Sequence, residues 1–232
     1  MKLEIFGDSI LRGVIYAENC GKAKQYRLCS DHKFESFQKD EINVLNRSRM
    51  GFTISDGLRS IERSVSDMNS DTVVLLEFGG NDCDFDWKKI SENPQGSFLP
   101  HLPEEKFVAD YCSAIDRIRE TGAKVIVSSI IPIDAEKYLS FLSRGLDRAA
   151  ILRWLGDISM LYRWQEHYNH LVEKITLLKE CAFLDLRRAF LTAHNFKELL
   201  CSDGIHPTEL GHEMIRKRIL GFLTSQDALP AV

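Results

Sequence analysis

A continuous apolar run at residues 72–78, reading Thr-Val-Val-Leu-Leu-Glu-Phe, limits the fold of this chain more than any other stretch. Its branched side chains suit an extended backbone, and a strand that is apolar on both faces must be covered on both faces. It is therefore a central strand of a parallel sheet, and it stops abruptly at Gly79-Gly80-Asn81-Asp82. Shorter runs at residues 3–6, 42–46, 125–131 and 182–186 read as companion strands, the first of them ending in Gly7-Asp8-Ser9.

Helical periods fill the gaps between these runs. Ile54, Leu58, Ile61, Val65 and Met68 recur at spacings of three and four, which predicts an amphipathic helix over residues 53–69. Pro103 and Glu104 open another helix that Gly122 closes, residues 10–16 start a helix behind Ser9, and Pro207 begins the last. Residues 135–179 are helical by period, with interruptions near Gly145 and Gly156. Alternating strands and helices argue for an α/β fold, an open parallel sheet with helices on both sides.

The 232 residues suit one sizeable domain, and 44% hydrophobic with 28% charged residues is the make-up of a globular protein with a real core. The net charge of −4 and the scattered basic residues give no footprint for nucleic acid; the Arg216-Lys217-Arg218 cluster reads as a solvated face late in a helix. No stretch approaches the roughly 18 consecutive apolar residues that a membrane span needs, and the N-terminus has no apolar leader core, so no membrane insertion is expected. The six cysteines, at positions 20, 29, 83, 112, 181 and 201, form no C-x-x-C pair and no zinc spacing. Free thiols, a cytoplasmic location, and no metal or cofactor are the expectation.

In an open parallel sheet the working site lies beyond the carboxyl ends of the strands. The loops after the first, second, third and fifth strands carry Ser9, Gly51, Asn81 and the Asp203/His206 pair. A serine hydroxyl becomes nucleophilic only when a neutral imidazole takes its proton, and the imidazole needs a carboxylate to fix its tautomer. His206 is the candidate base and Asp203 its partner, in a turn loosened by Gly204. The Ser9 N–H, the Gly51 N–H and the Asn81 side-chain amide are candidate donors to an oxyanion. Each residue taken singly fits ordinary turn or cap chemistry; their joint placement makes the case.

Gly7-Asp8-Ser9-Ile10, Gly51, Gly79-Gly80-Asn81-Asp82 and Asp203-Gly204-Ile205-His206-Pro207 resemble, in order, the four blocks of the SGNH or GDSL-type hydrolase superfamily. The resemblance spans nearly the whole chain. It implies a three-layer α/β/α, flavodoxin-like fold with strand order 2-1-3-4-5, Ser9, Gly51, Asn81 and His206 as the name-giving residues, and Asp203 as the third triad member. Its expected activity is that of a serine esterase on small-molecule esters, with O-acetylated carbohydrates, lysophospholipids and thioesters among the substrates it offers. Acyl transfer from the same intermediate is the main alternative. The chain then reads as a single hydrolase domain over residues 1–232 with a helical insertion at about 134–164, whose aromatics Tyr138, Phe141, Trp154, Tyr162 and Trp164 suit packing, a lid or the face of a homo-oligomer. Phe85, Trp87 and Phe98, soon after Asn81, are expected to wall the site. No extended apolar groove is evident in the sequence, which favours short acyl groups.

Overall fold

The computed structural model describes residues 1–17 and 26–225. In chain order the first elements are β1 (Lys2–Gly7), α1 (Ser9–Arg12), β2 (Val14–Tyr16), β3 (Tyr26–Leu28), β4 (Asn43–Asn46), α2 (Ile54–Glu62) and β5 (Thr72–Glu77). There follow α3 (Trp87–Glu92), α4 (Glu104–Arg119), β6 (Lys124–Ser128), α5 (Ala135–Leu142), α6 (Arg148–Leu155) and α7 (Ser159–Leu178). The chain closes with β7 (Ala182–Leu184), α8 (Leu186–Leu191), α9 (Phe196–Leu199) and α10 (Glu209–Thr224).

The main sheet has five parallel strands in the order β4-β1-β5-β6-β7. Counting only its own strands, that is the order 2-1-3-4-5. The alternation of β5 explains the layering, since Val74 and Leu76 enter the core under α2, α4 and α7. Val73 and Leu75 enter the opposite core under α8 and α10. β1 lies at the point where strand order reverses, next to β5, with Gly7 opposite Glu77. The chain therefore leaves β1 at Ser9 and β5 at Asn81 side by side.

Three local expectations differ from the structure. The helix after Ser9 is a single turn, because Gly13 takes a left-handed conformation (φ 81°) and its N–H closes on the Ile10 carbonyl. Residues 14–16 then form β2, which pairs antiparallel with β3 outside the main sheet. The long helix of residues 53–69 ends at Glu62, and a 3₁₀ turn over Val65–Asp67 carries the rest of the apolar stripe. The Asp203/His206 turn follows α9 rather than the last strand directly, β7 being succeeded by α8. The breaks at Gly145 and Gly156 fall where the period breaks, between α5, α6 and α7.

Helices α5, α6 and the first turns of α7 enclose a third apolar core around Leu139, Ile151 and Leu161, separate from the two on the sheet. Among the described residues no helix is long and apolar enough to cross a membrane. Cys29, Cys83, Cys112, Cys181 and Cys201 are free thiols, whereas Cys20 lies outside the described residues.

Gly57 offers a direct test of the packing between α2 and the sheet. Alanine there gains about 1 kcal/mol of helix propensity, but its Cβ would fall inside the contact radius of the Phe78 ring. Overpacking costs about 1–3 kcal/mol, so Gly57→Ala should lower the melting temperature by a few degrees in calorimetry. A raised melting temperature would show that the Phe78 contact is slack.

Candidate active site

Ser9 begins α1 at the carboxyl end of β1, and Asp8 caps that turn by accepting the Ile10 N–H at 2.8 Å. As the first helical residue, Ser9 has a backbone N–H with no acceptor inside the helix. His206 Nε2 lies 3.0 Å from Ser9 Oγ, and His206 Nδ1 lies 2.6 Å from Asp203 Oδ2. Asp203 is fully buried, and its other oxygen accepts the backbone N–H groups of Ile205 and His206, each at 3.1 Å. With Nδ1 facing a carboxylate, its proton stays there and Nε2 is the acceptor for the serine hydroxyl.

Glycine is required inside this turn. Gly204 has φ +77°, and a Cβ on it would stand 2.5 Å from the Tyr138 nitrogen and 2.6 Å from the Asp134 carbonyl oxygen. The Gly204 carbonyl accepts the Asp134 N–H at 2.9 Å, so the start of α5 is seated directly on the Asp203–His206 turn. The ring of Tyr26 meets the His206 imidazole edge-on, with centroids 5.4 Å apart.

Gly51 sits at the tip of the turn before α2 with φ +78°, exposed and with open space around its Cβ position. Among the described residues its N–H has no backbone acceptor. Asn81 differs from expectation in one respect: both protons of its amide are engaged, one by Asp8 Oδ2 and one by the Phe52 carbonyl, each at 3.0 Å. Next to it, Asp82 Oδ1 accepts the Ile54 N–H at 2.8 Å. The loop after β5 is thus tied twice to the turn that carries Gly51.

Beneath these donors lies a group of buried carboxyls that the sequence reading missed. Glu77, whose single charge within an apolar run was the available signal, is fully buried at the end of β5. Among the described residues neither of its carboxyl oxygens has a hydrogen-bond partner. Burial, together with the charge of Asp8, holds Glu77 well above the usual carboxylate range. Burial also pushes Asp8 up to about 6, against the pull of the Ile10 N–H and of His206. Asp82 rises to about 7, again chiefly through burial.

Ser9, Gly51, Asn81 and His206 all line one cavity of about 150 Å³. Its far walls are Phe85 from the loop after Asn81, Trp87 from the start of α3, Tyr138 from α5, Trp154 from α6, and Leu161 and Trp164 from α7. The polar ends of these rings are satisfied. Trp87 Nε1 and the Tyr138 hydroxyl both donate to Asp84 Oδ1, at 2.8 and 2.6 Å, while Trp164 Nε1 reaches the Cys83 carbonyl at 2.8 Å. Phe98 packs on Trp154 behind the wall, Phe141 against Tyr16, and Tyr162 beneath Arg187. His212, buried, contacts the Val14 carbonyl at 3.0 Å, and burial holds it down near 4. Among the described residues no group of three or more His, Cys, Asp and Glu side chains is arranged to hold a metal ion.

A model of the GDSL-like lipase/acylhydrolase family matches residues 5–214. Among solved structures, the chain resembles the lipase/acylhydrolase from Enterococcus faecalis at 17% identity and a TM-score of 0.64, over 95% of this chain and 93% of that one. It resembles the acetyl xylan esterase AlAXEase at 20% identity and a TM-score of 0.63, over 95% and 98%. A variant of the acetyl-xylooligosaccharide esterase Axe2 from Geobacillus Stearmophilus aligns at 17% identity and a TM-score of 0.63, over 99% and 97%. At such identities these likenesses describe the fold. No curated protein matches the chain.

The buried carboxyls predict a pH dependence of stability. Asp82 holds its proton to about pH 7 when folded but releases it from its ordinary value of 3.8 when unfolded. Between those values the native state binds more protons, so its contribution is complete below about pH 4 and is lost as pH rises through 7. The size is on the order of 4 kcal/mol. Urea midpoints should fall from pH 5 to pH 8, and Asp82→Asn, which keeps the acceptor for Ile54 and carries no charge, should flatten the fall. A wild-type midpoint that rises over that interval contradicts the assignment.

Proposed function

The chain belongs to the GDSL-like lipase/acylhydrolase family, and on that premise we propose that it hydrolyses carboxylic esters of short acyl chains through an acyl-enzyme on Ser9. The observation that carries this reading is the hydrogen-bonded line from Asp203 through His206 to Ser9, opening on an apolar cavity.

Ser9 Oγ attacks the ester carbonyl as His206 Nε2 takes its proton, and Asp203 stabilises the imidazolium that forms. The negative charge that develops on the carbonyl oxygen is met by the N–H groups of Ser9 and Gly51. Asn81 joins them by exchanging the Phe52 carbonyl for the oxyanion, a stronger acceptor, while Asp8 keeps hold of its other proton. The C–O bond breaks and the leaving oxygen takes the proton from His206. Water, deprotonated by the same imidazole, then releases the acid from Ser9.

The cavity bounds the acyl group. At about 150 Å³ it is the size of an engineered protein cavity that accepts benzene, so an acyl chain of about four to six carbons, or an aryl group, fills it. This sets the preferred substrate at the longer end of the short acyl groups that the sequence favours, because the aromatic insertion supplies an apolar wall. Each methylene that finds burial adds about 0.8 kcal/mol to transition-state binding, and the gain ends when the cavity is full.

With p-nitrophenyl esters, kcat/KM should climb from acetate to butyrate or hexanoate and drop from octanoate onward. Trp154→Ala should move the maximum to longer chains. Ser9→Ala should lose about 10³-fold or more with every ester. A rate that continues to climb through decanoate in the wild type, or a Ser9→Ala enzyme of near-normal activity, would overturn the proposal.

A further inference from the structure

A second depression, open to the surface and of about 750 Å³, lies beside the catalytic cavity. Arg12, Arg27, Arg47 and Arg49 line it together with Asn46 and Ser48, and among the described residues no carboxylate lines it. In a chain whose net charge is −4, four guanidiniums around one hollow are a strong local reversal.

Two of the four are neutralised. Arg47 pairs with buried Glu4 at 2.7 Å and with Asp67 at 3.2 Å, and Arg27 pairs with exposed Glu209 at 2.7 Å. The other two are not. Arg49 stacks on the Phe52 ring at 5.7 Å, and among the described residues neither it nor Arg12 makes an ion pair with a carboxylate. Both stand on the segments that carry the chemistry. Arg12 ends the single turn that Ser9 begins, and Arg49 lies two residues before Gly51.

The hollow also has a fixed position relative to the reaction. It shares Met50 with the catalytic cavity, and its other border is Tyr26, the ring packed against His206. His206 delivers a proton to the leaving oxygen, so the alcohol portion departs on this side while the acyl chain lies among the aromatics. Guanidinium groups recognise phosphate oxygens by paired, charge-assisted hydrogen bonds.

Resting on the esterase reading above, we infer that the hollow binds a phosphate group on the alcohol portion of the substrate, with Arg12 and Arg49 supplying the free charge. The natural substrate is then a short-chain acyl ester of a small phosphorylated alcohol. The volume leaves room for the phosphate and the carbon skeleton that bears it.

The test compares 1-butyrylglycerol 3-phosphate with uncharged 1-butyrylglycerol in the wild type and in an Arg12→Gln/Arg49→Gln double variant. The wild type should prefer the phosphorylated ester by about 10-fold or more in kcat/KM, and the preference should shrink as salt is raised. The double variant should lose that preference while turning over the uncharged ester within about twofold of wild type. Butyryl esters of a hexose and of its 6-phosphate, run alongside, tell a glycerol-sized alcohol from a sugar-sized one. Equal kcat/KM on charged and uncharged members of both pairs overturns the inference, as does an equal loss on both in the double variant. Calorimetric titration of the Ser9→Ala protein with glycerol 3-phosphate and with hexose 6-phosphate reads the hollow without any turnover. Binding of either that the two arginine substitutions weaken at least about tenfold supports the site even if no ester is cleaved, and absence of binding by both to tens of millimolar overturns it.

Discussion

The register of β1 on β5, which sets Gly7 opposite Glu77, is the constraint on which the site depends. It brings two strand ends together at the reversal of strand order, so the loops that begin at Asp8 and Gly79 run in contact. Once they do, Asp8 can hold the Asn81 amide, and the buried Glu77 carboxyl comes close enough to feel the charge of Asp8. A slip of the register by one residue would turn Glu77 and Asp8 apart and exchange the faces of every core residue in both strands. The two sheet cores, with Val74 and Leu76 on one side and Val73 and Leu75 on the other, oppose such a slip.

Around that fixed pair the remaining parts are attached by short, identifiable bonds. Asp82 and Asn81 bind the turn before α2, which sets the height of Gly51. The Gly204 carbonyl and the Asp134 N–H join the His206 turn to α5, so the helices that wall the cavity are seated on the turn that carries the candidate catalytic pair. The polar atoms of the aromatic wall are taken up by Asp84 and the Cys83 carbonyl, from residues that line the same cavity. One molecule thus presents an apolar side and a basic side to the same serine.

Much of this was legible in the chain. The apolar runs fixed the parallel strands because a strand covered on both faces has no polar residues to alternate, and the polar residues that end those runs marked the site edge. Ser9, His206 and Asp203, which the structure brings into one hydrogen-bonded line, were singled out by their chemistry and spacing. Other features had no local signal. The single turn of α1 and the β2–β3 hairpin come from Gly13 and from pairing between segments distant in sequence. The cavity draws aromatic residues from the loop after Asn81 and from four helices, and no window of sequence shows that Trp87, Tyr138, Trp154 and Trp164 face one space. Glu77 was visible as a charge in an apolar run, but its meaning needs Asp8 beside it. The engagement of both Asn81 protons follows from the path of residues 50–52, which is set in three dimensions.

The central claim is that Ser9 becomes covalently acylated within the Asp203–His206–Ser9 line. Rapid mixing with p-nitrophenyl butyrate, acid quench on the millisecond scale and peptide mass spectrometry measure it directly. The account predicts a butyryl adduct on the peptide containing Ser9, formed at the rate of the nitrophenolate burst and absent in His206→Ala. Turnover with no adduct at any time, or an adduct on another residue, would contradict it.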